Sequence, residues 1–385
     1  MTIFGTRPEA IKMCPLILEL GKHADEIESI VTVTGQHREM LDQVLDVFGI
    51  TPDYDLKIMK DRQTLTSITT NALQQLDDIM KRENPDLVLV HGDTTTTFVA
   101  SLAAYYNQIA VGHVEAGLRT QNKYSPYPEE LNRQLTGVIA DLHFAPTASA
   151  AANLLSENKA SESIFVTGNT GIDALQHTVI SNYSNEILGK IGTSKMVLLT
   201  AHRRENIGEP LRNIFHAIKK ITNEHEDVQV VYPVHLNPAV QEIAKEVLGG
   251  HPRIHLIEPL GVIDFHNFAA CAHIILTDSG GVQEEAPSLG KPVLVVRDTT
   301  ERPEGIEAGT SKLIGTNQAN IYAHVQTLLS NSQAYEQMAR ASNPYGDGQA
   351  SKRIVEAILY YYDKREDRPL DFAEVTEENY LHEKY

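Results

Sequence analysis

The sequence predicts an α/β protein built as two doubly wound halves, each a parallel sheet with helices on both faces. Three observations predict it. Short apolar runs alternate with segments of helical periodicity along most of the chain, the pattern of repeated strand–helix–strand crossovers. The alternation restarts after Thr167-Gly168-Asn169-Thr170-Gly171. The chain has 385 residues, more than one core ordinarily organises.

In the first half, Thr2-Ile3-Phe4 is a short strand, and Gly5-Thr6-Arg7-Pro8-Glu9 leads into a helical pattern from Ala10 to about Leu20. Pro8 sits where an early helix position tolerates proline. Ile30–Thr34 is the next strand, and Gly35-Gln36-His37-Arg38 leads to a helix with Met40, Leu41, Val44, Leu45 and Phe48 at helical spacing. A longer helix spans Leu65 to about Arg82. Asp86–Val90 reads as a buried parallel strand ending at His91-Gly92-Asp93. A helix from about Thr96 to Asn107 and a strand Ile109–Val114 follow, ending in Glu115-Ala116-Gly117-Leu118-Arg119. A loop with Pro126 and Pro128 precedes a helix from Glu129 to about Ala140, and Leu142–Ala145 and Ile164–Val166 complete the half.

In the second half the strands are Met196–Thr200, Val228–Tyr232, Ile254–Ile257, Ile274–Leu276 and Val293–Val296, with helices between them. The tail from Ser351 carries Ile354, Ala357, Ile358 and Tyr361 at helical spacing and ends in an acidic stretch. The domains expected are 1–168 and 169–354, with a last helix of about 355–385 packing back on the first domain.

Composition narrows the function. Hydrophobic content of 42% and charged content of 22% are ordinary for a globular protein. The net charge of −18 argues against a nucleic-acid partner, although local cations can still focus on a small anion. The two cysteines, Cys14 and Cys271, fit no disulfide or zinc pattern. No apolar run approaches 18 residues and no basic-then-apolar leader opens the sequence, so a cytoplasmic protein without membrane insertion is expected. No G-x-G-x-x-G, P-loop, H-E-x-x-H or G-x-S-x-G is present; His251 and His255 are separated by Pro252 and make a poor metal pair. No metal and no cofactor are expected.

The polar residues cluster at strand ends, where open α/β sheets bind ligands. At Thr277-Asp278-Ser279-Gly280-Gly281 a strand gives way to a helical segment holding Gln283, Glu284 and Glu285. Unpaired N–H groups there suit a phosphate, Gly280 and Gly281 lack a Cβ and admit a close ligand, and Glu285 is in reach of sugar hydroxyls. This is a candidate nucleotide-diphosphate cradle; the plainer reading is an ordinary crossover turn. Asp93 is either a proton-transfer group or the N-cap of the next helix. Glu115 follows a buried strand and needs a partner, for which Arg119 and His113 are available. Glu129 and Glu130 open a helix, where acidic residues are also favoured by the dipole. His202-Arg203-Arg204 forms a basic spot in an acidic protein, or a solvated turn. Carboxylates, a histidine, arginines and a phosphate cradle together suit proton transfer on a nucleotide-linked substrate.

FGTRPEAIKM (4–13), HGDTTTT (91–97), HVEAGLRT (113–120), PEELNR (128–133), GNT (168–170), TAHRREN (200–206), PVHLNP (233–238), TDSGGVQEEAP (277–287), GKPVLVVR (290–297), TERPEG (300–305) and NPYGDG (343–348) stand in this order. Over nearly the whole chain this closely resembles the bacterial non-hydrolysing UDP-N-acetylglucosamine 2-epimerases. The resemblance implies two Rossmann-like domains in a GT-B arrangement with a central cleft, binding UDP mostly through the second domain. It implies reversible inversion at C2 to UDP-N-acetylmannosamine, by anti elimination of UDP to a 2-acetamidoglucal and re-addition. It also implies a homodimer whose product supplies cell-surface polysaccharides such as wall teichoic acid or capsule.

By position, Asp93, Glu115 and Glu129 match the family's catalytic carboxylates, and His202 matches its catalytic histidine near the diphosphate. Arg7 and Lys12 match residues near the phosphates. Ser279, Gly280 and Gly281 match the diphosphate turn, Glu285 the ribose ligand and Phe265 an aromatic near the uracil. A second, regulatory UDP-N-acetylglucosamine site is implied at Gln36, Arg62, Gln63, Glu129, Arg203 and His235. A further position of that site, often Gln in relatives, is Glu39 here, and a carboxylate cannot donate as an amide does. The first strand begins with fewer preceding residues than in relatives, and some cost in stability is expected from that. A hydrolysing epimerase, a GT-B glycosyltransferase and a non-catalytic nucleotide-sugar sensor are the alternatives; a sensor needs no proton-transfer set.

Overall fold

The structure, a computed structural model, describes residues 1–35, 38–58 and 64–372. Met1–His177 with residues 346–372 forms one compact unit, and Thr178–Tyr345 forms the other.

Among the described residues the first unit has a seven-stranded sheet: β1 (Thr2–Phe4), β2 (Val31–Val33), β3 (Tyr54–Asp55), β4 (Leu87–His91), β5 (Ala110–Val114), β6 (Leu142–Ala145) and β7 (Ile164–Val166). The spatial order is β3-β2-β1-β4-β5-β6-β7, and every pair is parallel. All five residues of β4 are buried, as a central parallel strand covered on both faces requires. Ile3, Val88, Val90 and Val111 pack against Leu76, Met80, Val99 and Ala103 of the covering helices. Each such aliphatic side chain taken fully out of water stabilises the fold by about 1.5–3 kcal/mol before entropy is counted.

The helix after β1, Arg7–Gly21, begins three residues earlier than the apolar spacing predicts. Thr6 caps it, and Glu9 reaches back to the Thr6 amide at 2.7 Å and the Gly5 amide at 2.9 Å, so the start is set by a capping box and not by hydrophobic pattern. Only glycine fits at position 5. A Cβ there would stand 2.0 Å from the Thr34 hydroxyl and 2.9 Å from that of Thr96. The helix Ala350–Tyr361 belongs to this unit, and Asp173 accepts its first amides, Ala350 at 3.2 Å and Ser351 at 2.7 Å.

The second unit has six parallel strands among the described residues: β8 (Lys195–Thr200), β9 (Val228–Pro233), β10 (Ile254–Ile257), β11 (Ile274–Thr277), β12 (Val293–Val295) and β13 (Ser311–Leu313), in the order β10-β9-β8-β11-β12-β13. Alternate residues of β8 serve opposite faces. Val197 and Leu199 pack with Phe215, Ile218 and Leu276; Met196 and Leu198 pack with Phe268, Ile275 and Val295.

Strand order positions the candidate sites. In the first unit the chain runs outward from β1 through β2 and β3, then returns to β4 on the other side of β1. In the second it runs from β8 through β9 and β10 and returns to β11 beside β8. The crevices at the carboxyl ends of β1/β4 and β8/β11 are therefore the topological switch points, where this fold class binds ligands. Among the described residues no helix is long and apolar enough to cross a membrane.

Candidate active site

In the first unit the switch point gathers the turns after β1 and β4. Glu9 is fully buried, and burial pushes its carboxyl above the usual range while its donors oppose the shift. Those donors come from both turns: the Gly5 and Thr6 amides on Oε2, and the Thr94 and Thr97 hydroxyls on Oε1 at 2.6 and 3.2 Å. Thr94, not Asp93, caps the following helix Thr95–Tyr106. The side chain of Asp93 instead meets the Arg133 guanidinium, and its carbonyl accepts Asn132 Nδ2 at 3.0 Å. Arg133 lies four residues after Glu129, so both stand on one face of the helix Glu129–Ile139. Glu130 has a different duty. It is buried and accepts the amides of Thr120 at 3.0 Å and Gln121 at 3.2 Å, fastening the preceding loop.

Glu115 follows β5 with φ of 63°, in the left-handed region. The partners expected for it, Arg119 and His113, are engaged elsewhere. Arg119 makes a forked pair with Glu157 at 2.6 and 2.8 Å, and His113 donates from Nε2 to the Gly92 carbonyl at 2.7 Å. Glu115 Oε2 instead receives Lys12 Nζ, and Asn169 Nδ2 at 3.1 Å. His91 Nε2 lies 3.8 Å from the same oxygen. Burial pushes the His91 imidazole down to about 4, so it is neutral at pH 7. Lys12 stands on the same helix as Arg7, which opens the helix after β1 and is exposed.

In the second unit β8 and β11 are stitched at their carboxyl ends by the Thr200 and Thr277 hydroxyls, 2.6 Å apart. Asp278, wholly buried, accepts the His202 and Arg203 amides, each at 2.8 Å, and Asn206 Nδ2 at 3.0 Å. The His202 ring stacks on His235, centroids 5.1 Å apart. Burial lowers the pKa of His202; Asp278 raises it, and His235 and Arg203 lower it further.

The helix here is Gly280–Glu285, with Ser279 as its N-cap, so it starts three residues before Gln283. Gly280 and Gly281 form its first turn rather than a turn ahead of it, and neither has a positive φ. Their first amides have no intrahelical acceptor. A Cβ on Gly280 would meet the guanidinium groups of Arg302 at 3.7 Å and Arg203 at 3.9 Å, so two cations flank this backbone. Arg302 is held by Glu284. Glu285 Oε2 lies 3.3 Å from His266 Nε2, and His266 Nδ1 is 2.7 Å from the Thr178 hydroxyl, so the carboxylate is aimed by a buried histidine. Phe265 is half-buried against the apolar cluster of Met196, Phe268 and Ile275.

Each unit therefore gathers its own set: Lys12, Asp93, Glu115, Glu129 and Arg133 in the first, and His202, Arg203, His235, Ser279–Gly281, Arg302 and Glu285 in the second. Arg133, Arg302, Asp278 and Asn169 were not singled out from sequence. All lie inside motifs or beside singled-out residues, so motif membership was the available signal. Gln36, Arg62, Gln63 and the side chain of Glu39 lie outside the described residues. Among the described residues no cluster of His, Cys, Asp and Glu is arranged to hold a metal ion.

The profile of the UDP-N-acetylglucosamine 2-epimerase family matches residues 19–359. The UDP-N-acetylglucosamine 2-epimerase of Bacillus subtilis strain 168 is 68% identical over 373 residues, covering 97% of this chain and 98% of that protein. The crystal structure of UDP-GlcNAc 2-epimerase from Neisseria meningitidis, bound to UDP-GlcNAc, is 53% identical with a TM-score of 0.83, covering 93% of this chain and 99% of that one. The Methanocaldococcus jannaschii UDP-GlcNAc 2-epimerase in complex with UDP-GlcNAc and UDP is 35% identical with a TM-score of 0.74, at the same coverage of 93% and 99%. Two switch-point clusters rich in carboxylates and cations, a profile that spans most of the chain and a 68% identical relative over almost its full length agree: the chain belongs to the UDP-N-acetylglucosamine 2-epimerase family.

Proposed function

We propose that the chain interconverts UDP-N-acetylglucosamine and UDP-N-acetylmannosamine without releasing free sugar. The C2–H bond breaks and its proton passes to a carboxylate. The C1–O bond breaks anti to it, its electrons leave on the diphosphate of UDP, and a C1=C2 double bond forms in a 2-acetamidoglucal. A carboxyl group then protonates C2 on the opposite face, and the diphosphate oxygen re-forms the bond to C1. The steps balance without oxidant, reductant or water. Asp93, Glu115 and Glu129 share the two proton-transfer roles, and His202 stabilises the departing diphosphate.

The observation that carries this reading is Glu115. It is a non-glycine residue held at φ 63° at the end of a buried strand, with Lys12 and Asn169 on one carboxylate oxygen, and such backbone strain is typical of functional sites. In the second unit, Arg203 and Arg302 beside the Gly280 backbone suit a diphosphate that must stay bound for its return. That retention favours the non-hydrolysing course. Arg7 and Lys12 assist at the phosphates, Ser279 and Gly281 line the turn, Glu285 takes the ribose and Phe265 the uracil. The reading extends to a cytoplasmic homodimer feeding polysaccharide synthesis. The exposed stripe Leu131, Leu135 and Val138 on one helix supports the dimer. It extends also to regulation by a second UDP-N-acetylglucosamine, with His235 as one of its contacts.

The test is proton NMR of the protein with UDP-N-acetylglucosamine in D2O. A UDP-N-acetylmannosamine signal that grows as the C2 proton is lost, with both sugars UDP-linked, is the expected result. Free N-acetylmannosamine with UDP would assign the hydrolysing course instead.

A further inference from the structure

Asp278 has no part in the scheme above, yet its surroundings are unusually specific. It is wholly buried at the end of β11, and a carboxylate so placed is costly unless its oxygens are satisfied. One oxygen does all the anchoring. Oδ2 accepts the His202 amide, the Arg203 amide and Asn206 Nδ2, at 2.8, 2.8 and 3.0 Å, and so fixes the whole segment 202–206. Oδ1 is buried without a hydrogen-bond partner among the described residues. It faces His202 Nδ1 at 3.7 Å, just beyond bonding distance, and a small rotation of the half-exposed ring closes that gap.

We infer that Asp278 is the positioning residue of His202: Oδ1 takes the Nδ1–H, fixes that tautomer and presents Nε2 to the diphosphate. The inference rests on the reading of His202 given above. A loop anchor alone would need only Oδ2; the leftover oxygen aimed at Nδ1 is what a purely structural carboxylate does not explain. The geometry is that of a carboxylate orienting an imidazole through its far nitrogen. The groups that face the ring act in opposite directions: Asp278 favours the imidazolium, while the stacked His235 and the neighbouring Arg203 oppose it along with burial.

Asp278→Asn tests this. The amide oxygen can keep the two backbone amides, and the amide NH2 then faces Nδ1, which has to accept; the proton moves to Nε2. In 15N-histidine NMR the unaltered protein should show His202 protonated at Nδ1 when neutral, and the variant at Nε2. The kcat should fall about 10²- to 10⁴-fold with KM changed only a few-fold. Loss of the carboxylate charge lowers the His202 pKa, so the His202-dependent limb of the pH profile moves to lower pH whichever protonation state acts. A merely structural residue would lower the melting temperature and leave the tautomer unmoved. Unchanged kcat and tautomer in Asp278→Asn, with His202→Ala inactive, would overturn the inference and leave the reading of His202 intact. Full turnover in His202→Ala would overturn both. If Asp278→Asn does not fold, the tautomer of the unaltered protein decides, and Nε2–H there is a negative result.

Discussion

His235 lays its imidazole flat against that of His202, with the ring planes within 4° of parallel. Two stacked imidazoles resist carrying charge together. Burial does most to depress the His202 pKa, and His235 adds to it. His235→Phe keeps an aromatic face and removes the charge. His202 should then titrate at higher pH, followed through its ring-proton shifts by NMR. An unchanged or lower titration point would show the stack to be electrostatically silent.

Asp93 is held at both ends, its carboxylate by Arg133 and its carbonyl by Asn132. Capping of the next helix is done by Thr94, so the carboxylate is not needed as a cap. Asp93→Asn retains an oxygen for Arg133. It should therefore keep its melting temperature and its affinity for UDP in calorimetry, while turnover falls about 10²- to 10⁴-fold. Near-normal turnover would remove Asp93 from the mechanism.

Glu115 combines strain with an ion pair. Its left-handed backbone costs about 1 kcal/mol that glycine would recover. Its pair with Lys12 is mostly buried, with side-chain exposures of 14% and 12%, and removing one member of such a pair costs about 3 kcal/mol. The second effect wins, so Glu115→Gly should destabilise by about 2 kcal/mol in urea titration. Adding Lys12→Met should return most of that loss. If the double variant is no more stable than the single one, the pair carries none of the energy assigned to it.

Most strands were legible because a parallel strand buried on both faces reads as an apolar run, as Leu87–His91 and Ile274–Thr277 do. Tyr54–Asp55 and Ser311–Leu313 were not. Each is an edge strand of two or three residues, with one neighbour and little to bury, so neither periodicity nor hydrophobicity marks it. The site shows the same division. Its residues stood at strand ends in readable motifs, whereas their partners depend on tertiary closure. Lys12 is 103 positions from Glu115, and the nearer candidate, Arg119, is taken by Glu157 at the end of the helix Ala148–Ser156. Local chemistry misled in one direction as well. Gly280 and Gly281 suggested a special turn, but both adopt ordinary helical backbone, and Gly280 matters for the space beside Arg203 and Arg302.

Acid stability of the second unit can be traced to Arg297. Its side chain is buried at the end of β12, where it bonds Glu205 at 2.7 Å and Glu301 at 2.7 and 3.1 Å, bracing the segment that carries His202. The Arg297 hydrogen bond holds the Glu301 carboxyl down at about 2, against an ordinary value of 4.5. A depressed folded-state pKa means stability that is fully present above the unfolded value and lost as pH falls toward the folded one. Glu301 is about half exposed, so solvent screens the effect and the shift in melting temperature should be modest. Glu301→Gln should melt below the parent above about pH 5, with the gap closing as pH drops toward 2. A gap that stays constant from pH 7 to pH 3 would mean that the charge on Glu301 contributes nothing, and that its packing accounts for the loss.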